Sequence, residues 1–207
     1  MLDKSIIPIE GSYGINTVAE RKLLYSIISK LPNDSIVVEN GTALGGSACI
    51  MAAANPNIII HCIDSFEGTV SYDYNFKPQA KLQLPELREL DTIINDCFLV
   101  DMSGRLAFET LTKNFTNIKL WQGQSPTDFL DWDTKIDVYF EDATHQNPCL
   151  HTNIDFWCRY IKPAGYIIGH DYSLRNPDVI TEFNRLMSNG WTLITQVDTM
   201  IVLQKSE

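Results

Sequence analysis

The sequence lacks a long apolar run, a basic stretch and a paired-cysteine pattern, and each absence excludes a class of protein. No segment approaches the ~18–20 consecutive apolar residues of a membrane helix. Residues 1–14 show no apolar signal-peptide core, so no membrane association and a cytoplasmic location are expected. Lysine and arginine total 16 against 26 aspartates and glutamates, and the net charge is −10. Nucleic-acid phosphates need a basic surface, so a nucleic-acid partner is not expected. The acidity itself reads as a solubility feature. The five cysteines (Cys49, Cys62, Cys97, Cys149 and Cys158) are odd in number and form no C-x-x-C pair. They read as reduced, mostly buried thiols, not as a disulfide or zinc framework. A chain of 207 residues that is 44% hydrophobic is large enough for one core, and a single domain over 1–207 is expected.

What is present is an alternation of short apolar runs and helical patterns. Thr17-Val18-Ala19-Glu20 has the form of a capping box, and Leu24, Ile27, Ile28 and Leu31 follow at helical spacing. Strands are expected at 36–38, 58–63, 118–121, 136–140, 166–169, 191–197 and 200–203. The central ones are β-branched without alternation, as buried parallel strands are. Helices are expected at 48–54, 87–98, 104–114, 126–132, 148–161 and from 177, where Pro177 occupies the first turn. Lys162-Pro163-Ala164-Gly165 reads as a turn. The rhythm predicts a doubly wound, Rossmann-like, mostly parallel seven-stranded α/β sheet, closed by a hairpin that adds one antiparallel strand. Residues 65–116 are too long for an ordinary connection and read as a helical insertion, a lid over the site. Its Tyr72, Tyr74 and Phe76 suit a substrate wall or, more commonly, a small satellite core.

The first strand runs into Glu39-Asn40-Gly41-Thr42-Ala43-Leu44-Gly45-Gly46-Ser47. Glycines there permit positive φ and close backbone approach, and the following helix offers free N–H groups. The spacing is G-x-x-x-G-G, not the G-x-G-x-x-G of a nicotinamide site. An acidic residue two positions before Gly41 suits a ligand with an ammonium group and no pyrophosphate. Asp64, at the end of the second strand, is placed to accept two ribose hydroxyls. The plain alternative is a tight strand–helix turn that binds nothing.

These segments resemble a known family. Glu39-x-Gly41-x-x-x-Gly45-Gly46-Ser47 and Ile63-Asp64-Ser65-Phe66-Glu67-Gly68 look like the first two motifs of class I S-adenosylmethionine-dependent methyltransferases. Asp137 to His145, Ile161 to Tyr166 and Gly169-His170-Asp171-Tyr172 resemble the fourth- and fifth-strand segments of one branch. That branch holds small-molecule and sugar O-methyltransferases and relatives named after cephalosporin hydroxylase. The resemblance implies S-adenosylmethionine as cofactor. It puts Glu39 and Gly41 at the methionine portion, Asp64 at the ribose, and Gln124 and Ser125 at the adenine. The full contact set it implies adds Thr42, Gly45, Ser47, Ser65 and Asp142. Three positions depart from the family: Ala43 and Tyr166 stand where glycines are common, and Asn40 where an apolar residue is usual.

Asp142, His145, His170 and Asp171 follow strands four and five, which are neighbours in such a sheet, so they are expected to converge. Two chemistries stay open. Asp142, His170 and Asp171 suit a divalent cation, magnesium or manganese, that lowers the pKa of a substrate hydroxyl. Alternatively His145 acts alone as general base, with Asp142 beside it as the second catalytic residue. The plain readings are a helix-capping Asp142, a locally bonded His145, a buried supporting His170 and a turn-forming Asp171. His61 and His151 read as structural. The function expected is methyl transfer to a hydroxyl of a small molecule, a sugar or natural-product intermediate. The alternatives are a hydroxylase-like relative, an N-methyltransferase, and a non-catalytic partner protein that binds an adenosine ligand. A homo-oligomer is compatible with all of them.

Overall fold

The computed structural model describes residues 16–66 and 104–206. Helix α1 (Val18–Ile28) begins at the expected capping box. Thr17 Oγ1 accepts from the Glu20 backbone N–H at 3.2 Å, and Thr17 N–H donates to Glu20 Oε2 at 2.8 Å. Strand β1 (Ile36–Asn40) leads into α2 (Gly46–Ala54) and β2 (Ile59–Asp64). Helix α3 (Gly104–Thr112) precedes β3 (Ile118–Gln122) and β4 (Ile136–Glu141). Then come α4 (Cys149–Cys158), β5 (Ile161–Gly169), α5 (Pro177–Ser188), β6 (Thr192–Val197) and β7 (Met200–Gln204).

The seven strands form one sheet in the order β3-β2-β1-β4-β5-β7-β6. β1 to β5 pair in parallel, and β7 lies antiparallel between β5 and β6. The expected fold class is therefore found, with its single antiparallel strand. Side chains alternate between two buried layers, as a strand's two-residue period requires. Val37, Val138, Ile168 and Val202 pack toward α1, α2 and α3, whereas Val38, Tyr139, Ile167 and Ile201 pack toward α4 and α5. Both faces are covered, which is why the central strands read as unbroken apolar runs.

Register decides where the functional residues emerge. Asn40 stands beside Ile63 on one side and Glu141 on the other, and Glu141 beside Gly169. The residues that follow, Gly41, Asp64, Asp142 and His170, thus leave the sheet side by side at its carboxyl edge, where the chain order reverses between β1 and β4.

Three expected boundaries are corrected. The 162–165 turn lies inside β5, which pairs Ile161 with Ile136, skips, and resumes with Tyr166 opposite Val138. Pro163 has no N–H to give the ladder, so the extra residues bulge. Ala164 takes the positive φ there, 59°. The early start of β5 also shortens α4. The 126–132 helix contracts to a 3-10 turn over Thr127–Phe129, because Asp128 Oδ2 turns back to accept the Gln124 N–H at 2.8 Å. Within the expected lid, residues 104–112 form α3, which belongs to the fold: Phe108, 1% exposed, packs in the core against Gly45. Residues 67–103 of that insertion, with Tyr72, Tyr74 and Phe76, lie outside the described residues, as does Cys97.

Gly169 is tightly constrained, since a Cβ there would fall within the fully buried ring of Phe183. Gly169→Ala should destabilise by about 1–3 kcal/mol through overpacking. In urea unfolding, the Gly169→Ala, Phe183→Leu double variant should cost less than the sum of the singles, because the leucine lacks the clashing ring edge. Strict additivity would contradict this packing.

Candidate functional site

The β1–α2 loop is shaped from beneath. Glu39 is fully buried, and its carboxylate accepts from Thr42 Oγ1 at 2.7 Å, from Ser47 Oγ and from Cys62 Sγ at 3.4 Å. Burial raises its pKa to about 7, against the bonds from Ser47 and Thr42 that favour ionisation. Glu39, Thr42 and Ser47, all expected at the cofactor, are hydrogen-bonded to one another here. Their polar atoms are spent on one another, and the loop offers its backbone instead. Gly41 and Gly45 take φ of 88° and 82°, and a Cβ on Gly41 would collide with the Asp142–Ala143 backbone. Ala43 adopts φ 46° at the place where the family commonly has a glycine. Asn40, the other departure, donates from Nδ2 to Glu141 Oε2 at 3.1 Å, which an apolar residue would not do.

Asp64 sits against this loop, half-buried, at the end of β2. Its Oδ2 accepts the Ala43 N–H at 2.8 Å and its Oδ1 the Phe66 N–H at 2.9 Å. Ser65 and Gln124 lie at the same end of the sheet: Gln122 Nε2 donates to the Ser65 carbonyl at 3.2 Å, and the Gly123 N–H to the Asp64 carbonyl at 3.0 Å. Gln124 is exposed, while the Ser125 hydroxyl accepts from Trp157 Nε1 at 2.9 Å. A carboxylate at a strand end facing a glycine loop and a helix N-terminus fits an adenosine diol with an attached amino acid. This set fits S-adenosylmethionine in its donor chemistry.

At the ends of β4 and β5 the four expected residues do converge. The Asp142 N–H bonds the Asn40 carbonyl at 2.9 Å, and the His170 N–H the Glu141 carbonyl at 3.1 Å, so both exits are held to the sheet. His170 Nδ1 lies 3.1 Å from Asp142 Oδ1 and 3.5 Å from Asp171 Oδ2. His145 Nε2 lies 2.9 Å from Asp171 Oδ2, an ion-pair contact off the line of a hydrogen bond. Asp171 has φ 60°, which an aspartate tolerates better than most residues. The adjacent imidazoles of His145 and His170 hold its carboxyl well below the ordinary range. Asp171 in turn raises the pKa of His145. Burial raises Asp142, and His170 opposes that rise.

Sequence reasoning missed two buried carboxylates. Glu20, the capping glutamate, reaches His170 Nε2 at 3.3 Å with Oε2 and takes the Thr199 N–H and hydroxyl on Oε1 at 2.9 and 2.8 Å. Only its capping role was legible, because 150 residues separate it from His170. Glu141 accepts from Tyr139 and from the backbone N–H groups of Ala143 and Thr144, which fixes the loop carrying Asp142 and His145.

The three residues of the expected cation site come together in the same geometry. Ligand atoms of Asp142, His170 and Asp171 lie within 4.8 Å of one another. His170 Nε2 faces Glu20, and a proton there leaves the Nδ1 lone pair on the side of Asp142 and Asp171. One imidazole nitrogen and two carboxylates fit a divalent ion in their donor chemistry. His61 and His151 are structural, as expected. His61 accepts from Trp121 Nε1 at 2.8 Å, with burial lowering its pKa to about 4, and His151 pairs with Glu182 at 2.9 Å. An open cavity of about 240 Å³ beside His145 is lined by Asn147, Arg175 and Asn176 among others.

A family model described as a methyltransferase domain matches residues 38–172. No curated protein sequence is similar to the chain at a significant level. Among solved structures, a precorrin-6y C5,15-methyltransferase from Geobacter metallireducens GS-15 is 15% identical with TM-score 0.61, covering 92% of this chain and 91% of that one. A putative caffeoyl-CoA O-methyltransferase from Staphylococcus aureus is 15% identical with TM-score 0.61, covering 94% and 86%. A putative methyltransferase from Streptococcus mutans, solved in complex with SAH, is 12% identical with TM-score 0.58, covering 89% and 96%. At these identities the likeness shows the shared fold.

The raised pKa of Glu39 has a consequence for stability. Between the ordinary value of about 4.3 and about 7, the folded chain holds a proton that the unfolded chain has released. Its contribution is therefore full below the unfolded value and lost as pH rises through about 7. Glu39→Gln keeps the neutral form at every pH. The stability difference between variant and wild type should move in the variant's favour by about 1–3 kcal/mol from pH 5 to 8. Parallel denaturation profiles across that range would show that Glu39 is ionised throughout.

Proposed function

The chain belongs to the class I S-adenosylmethionine-dependent methyltransferase family, and from that premise we propose that it methylates a hydroxyl oxygen of a small molecule. One observation carries the oxygen reading: a half-exposed histidine, His145, held beside Asp171 at the mouth of an open polar cavity. Methyl transfer to oxygen needs the acceptor deprotonated as it attacks, and a positioned imidazole with a carboxylate behind it is suited to that step. The surplus of acidic residues, with no basic stripe, favours a small molecule over an RNA acceptor.

Bound S-adenosylmethionine supplies an electrophilic methyl group on its sulfonium. In this reading Asp64 holds the ribose hydroxyls and the Gly41–Gly45 backbone lines the methionine end. Asp171 beside Nε2 favours a proton there, leaving Nδ1 with the lone pair. His145 takes the substrate hydroxyl proton, and the resulting imidazolium is stabilised by Asp171. Asp142, tied to His170 through Oδ1, keeps its second oxygen to orient the hydroxyl. The new O–C bond forms as the S–C bond breaks, and S-adenosylhomocysteine leaves. Beyond the proton transfer, most of the acceleration comes from alignment of acceptor and donor.

Two measurements check this assignment. Calorimetry with S-adenosylhomocysteine should show Asp64→Ala binding about 10- to 100-fold more weakly, since a hydrogen bond to a charged group is worth roughly 1.5–3 kcal/mol. Unchanged affinity would remove Asp64 from the cofactor site. For turnover, His145→Ala should lower kcat by about 10²–10⁴-fold while cofactor affinity stays at the wild-type level. The base must be neutral, and Asp171 raises its pKa, so kcat should climb with pH through a value above the ordinary ~6.5. Asp171→Asn, which the positive φ accommodates, should move that inflection downward. An inflection that stays put would separate Asp171 from the proton transfer.

A further inference from the structure

The cavity beside His145, about 240 Å³ in volume, has two walls, and both are pinned. One is the loop after β4. Its Asn147 N–H donates to Asp178 Oδ2 at 2.9 Å and its Asn147 Nδ2 to Glu182 Oε1 at 3.1 Å, which ties that loop to α5. The other is the loop after β5. There the Tyr172 N–H donates to the Thr199 carbonyl at 2.8 Å, the Asn176 N–H donates to the Ser173 carbonyl at 2.9 Å, and the Tyr172 ring packs edge-on against Phe183 of α5. The lining holds three ionisable side chains, His145, Asp178 and Arg175. His145 lies 2.9 Å from Asp171, and Asp178 is engaged by Asn147. Arg175, exposed at the opening, has neither a hydrogen bond nor an ion pair to any of the described residues. Arg105 and Arg185, by contrast, each hold a carboxylate.

We propose that Arg175 binds an anionic group of the methyl acceptor, so that the substrate is a small molecule carrying both a hydroxyl and a carboxylate or phosphate. The inference rests on the reading of this site as a hydroxyl methyltransferase with His145 as its base. A guanidinium presents its N–H donors as a planar fork that matches a carboxylate or phosphate edge. No carboxylate of the chain occupies that fork, so an incoming anion displaces no internal partner. The surroundings give the contact its direction. The chain carries a net charge of −10, and Asp142 and Asp171 stand at the chemical end of the site. Such a field repels an anion everywhere except beside an unpaired cation. An acceptor with one charged end therefore lodges that end at Arg175 and leaves its hydroxyl on the side of His145, in the same cavity. The volume lies below the ~300–1,000 Å³ of ordinary ligand pockets, which suits a compact acceptor. Arg175 and Asp171 share one pinned loop, so little backbone ordering remains to oppose binding. Arg175 determines specificity and takes no part in the proton transfer.

The test is calorimetry on the full chain saturated with S-adenosylhomocysteine, using three probes of one shape: 4-hydroxybenzoate, 4-hydroxyphenyl phosphate and the neutral 4-hydroxybenzamide. At least one anion should bind saturably, about tenfold or more tighter than the amide, as a charge-assisted bond implies. The tighter of the two anions identifies the group that the acceptor carries. Arg175→Gln should bring both anions to the level of the amide, while its affinity for S-adenosylhomocysteine stays at the wild-type level. Arg175→Lys, which keeps the charge and loses the fork, should fall between the two. Three results would each overturn the proposal: no saturable binding of either anion, an amide that binds as tightly as the anions, or an anion preference that survives Arg175→Gln. Failure of the wild type to bind S-adenosylhomocysteine would remove the methyltransferase reading instead. The same titrations on the chain alone would then decide the anion site, which stands if the preference depends on Arg175 and falls if it does not.

Discussion

The sheet's register is the constraint on which the functional end of the molecule depends. Ile63, Asn40, Glu141 and Gly169 stand abreast in four parallel strands, so the residue after each leaves the sheet at the same level. A slip of one residue would reverse the face of every side chain in the strand. It would also withdraw Asp64, Gly41, Asp142 or His170 from the row. The register is held by buried layers on both faces and, at the edge itself, by the Asn40–Glu141 bond and the lack of room between Gly41 and Ala143. The same packing that gives the fold its core therefore aligns the crevice.

Bringing these ends together crowds acidic groups, and each cluster is neutralised differently. Glu39 is satisfied by hydroxyls and a thiol and raised by burial. Glu141 is satisfied by Tyr139, Asn40 and two backbone N–H groups. Glu20, Asp142 and Asp171 share one histidine. The first two arrangements shape loops, and the third links α1, the β6–β7 turn through Thr199 and the exits of β4 and β5. A buried polar network of this kind is stable only when every member is satisfied, which makes the site rigid by necessity.

Local pattern made the strands, the glycine loop, the capping box and Asp64 legible. The four titratable residues after β4 and β5 were legible as a group, because adjacent strand ends must converge. Direction and partnership were not. Nothing near Glu39 tells whether its carboxylate points into the crevice or under the loop. That depends on Thr42 and Ser47 folding back, which is a tertiary outcome. Glu20 looked like a capping residue and is one, but its second role spans the chain. The β5 bulge hid behind Lys162-Pro163-Ala164-Gly165, a typical turn sequence. Its Lys162 Nζ instead reaches both Asp137 oxygens at 2.9 Å, within the sheet. The metal expectation followed from residue types alone, and the partner of the second ring nitrogen, Glu20, was not among them.

The central claim is that the carboxyl edge of the sheet, along the β1–α2 loop and Asp64, holds the methyl donor, with its reactive end toward Asp142 and His145. A crystal structure of the wild-type chain grown with S-adenosylhomocysteine tests it most directly. The account predicts ribose hydroxyls within hydrogen-bonding distance of Asp64, the amino-acid end along the Gly41–Gly45 backbone, and the sulfur on the side of Asp142. Ligand bound elsewhere, or in the reversed direction with adenine over Gly41, would contradict it.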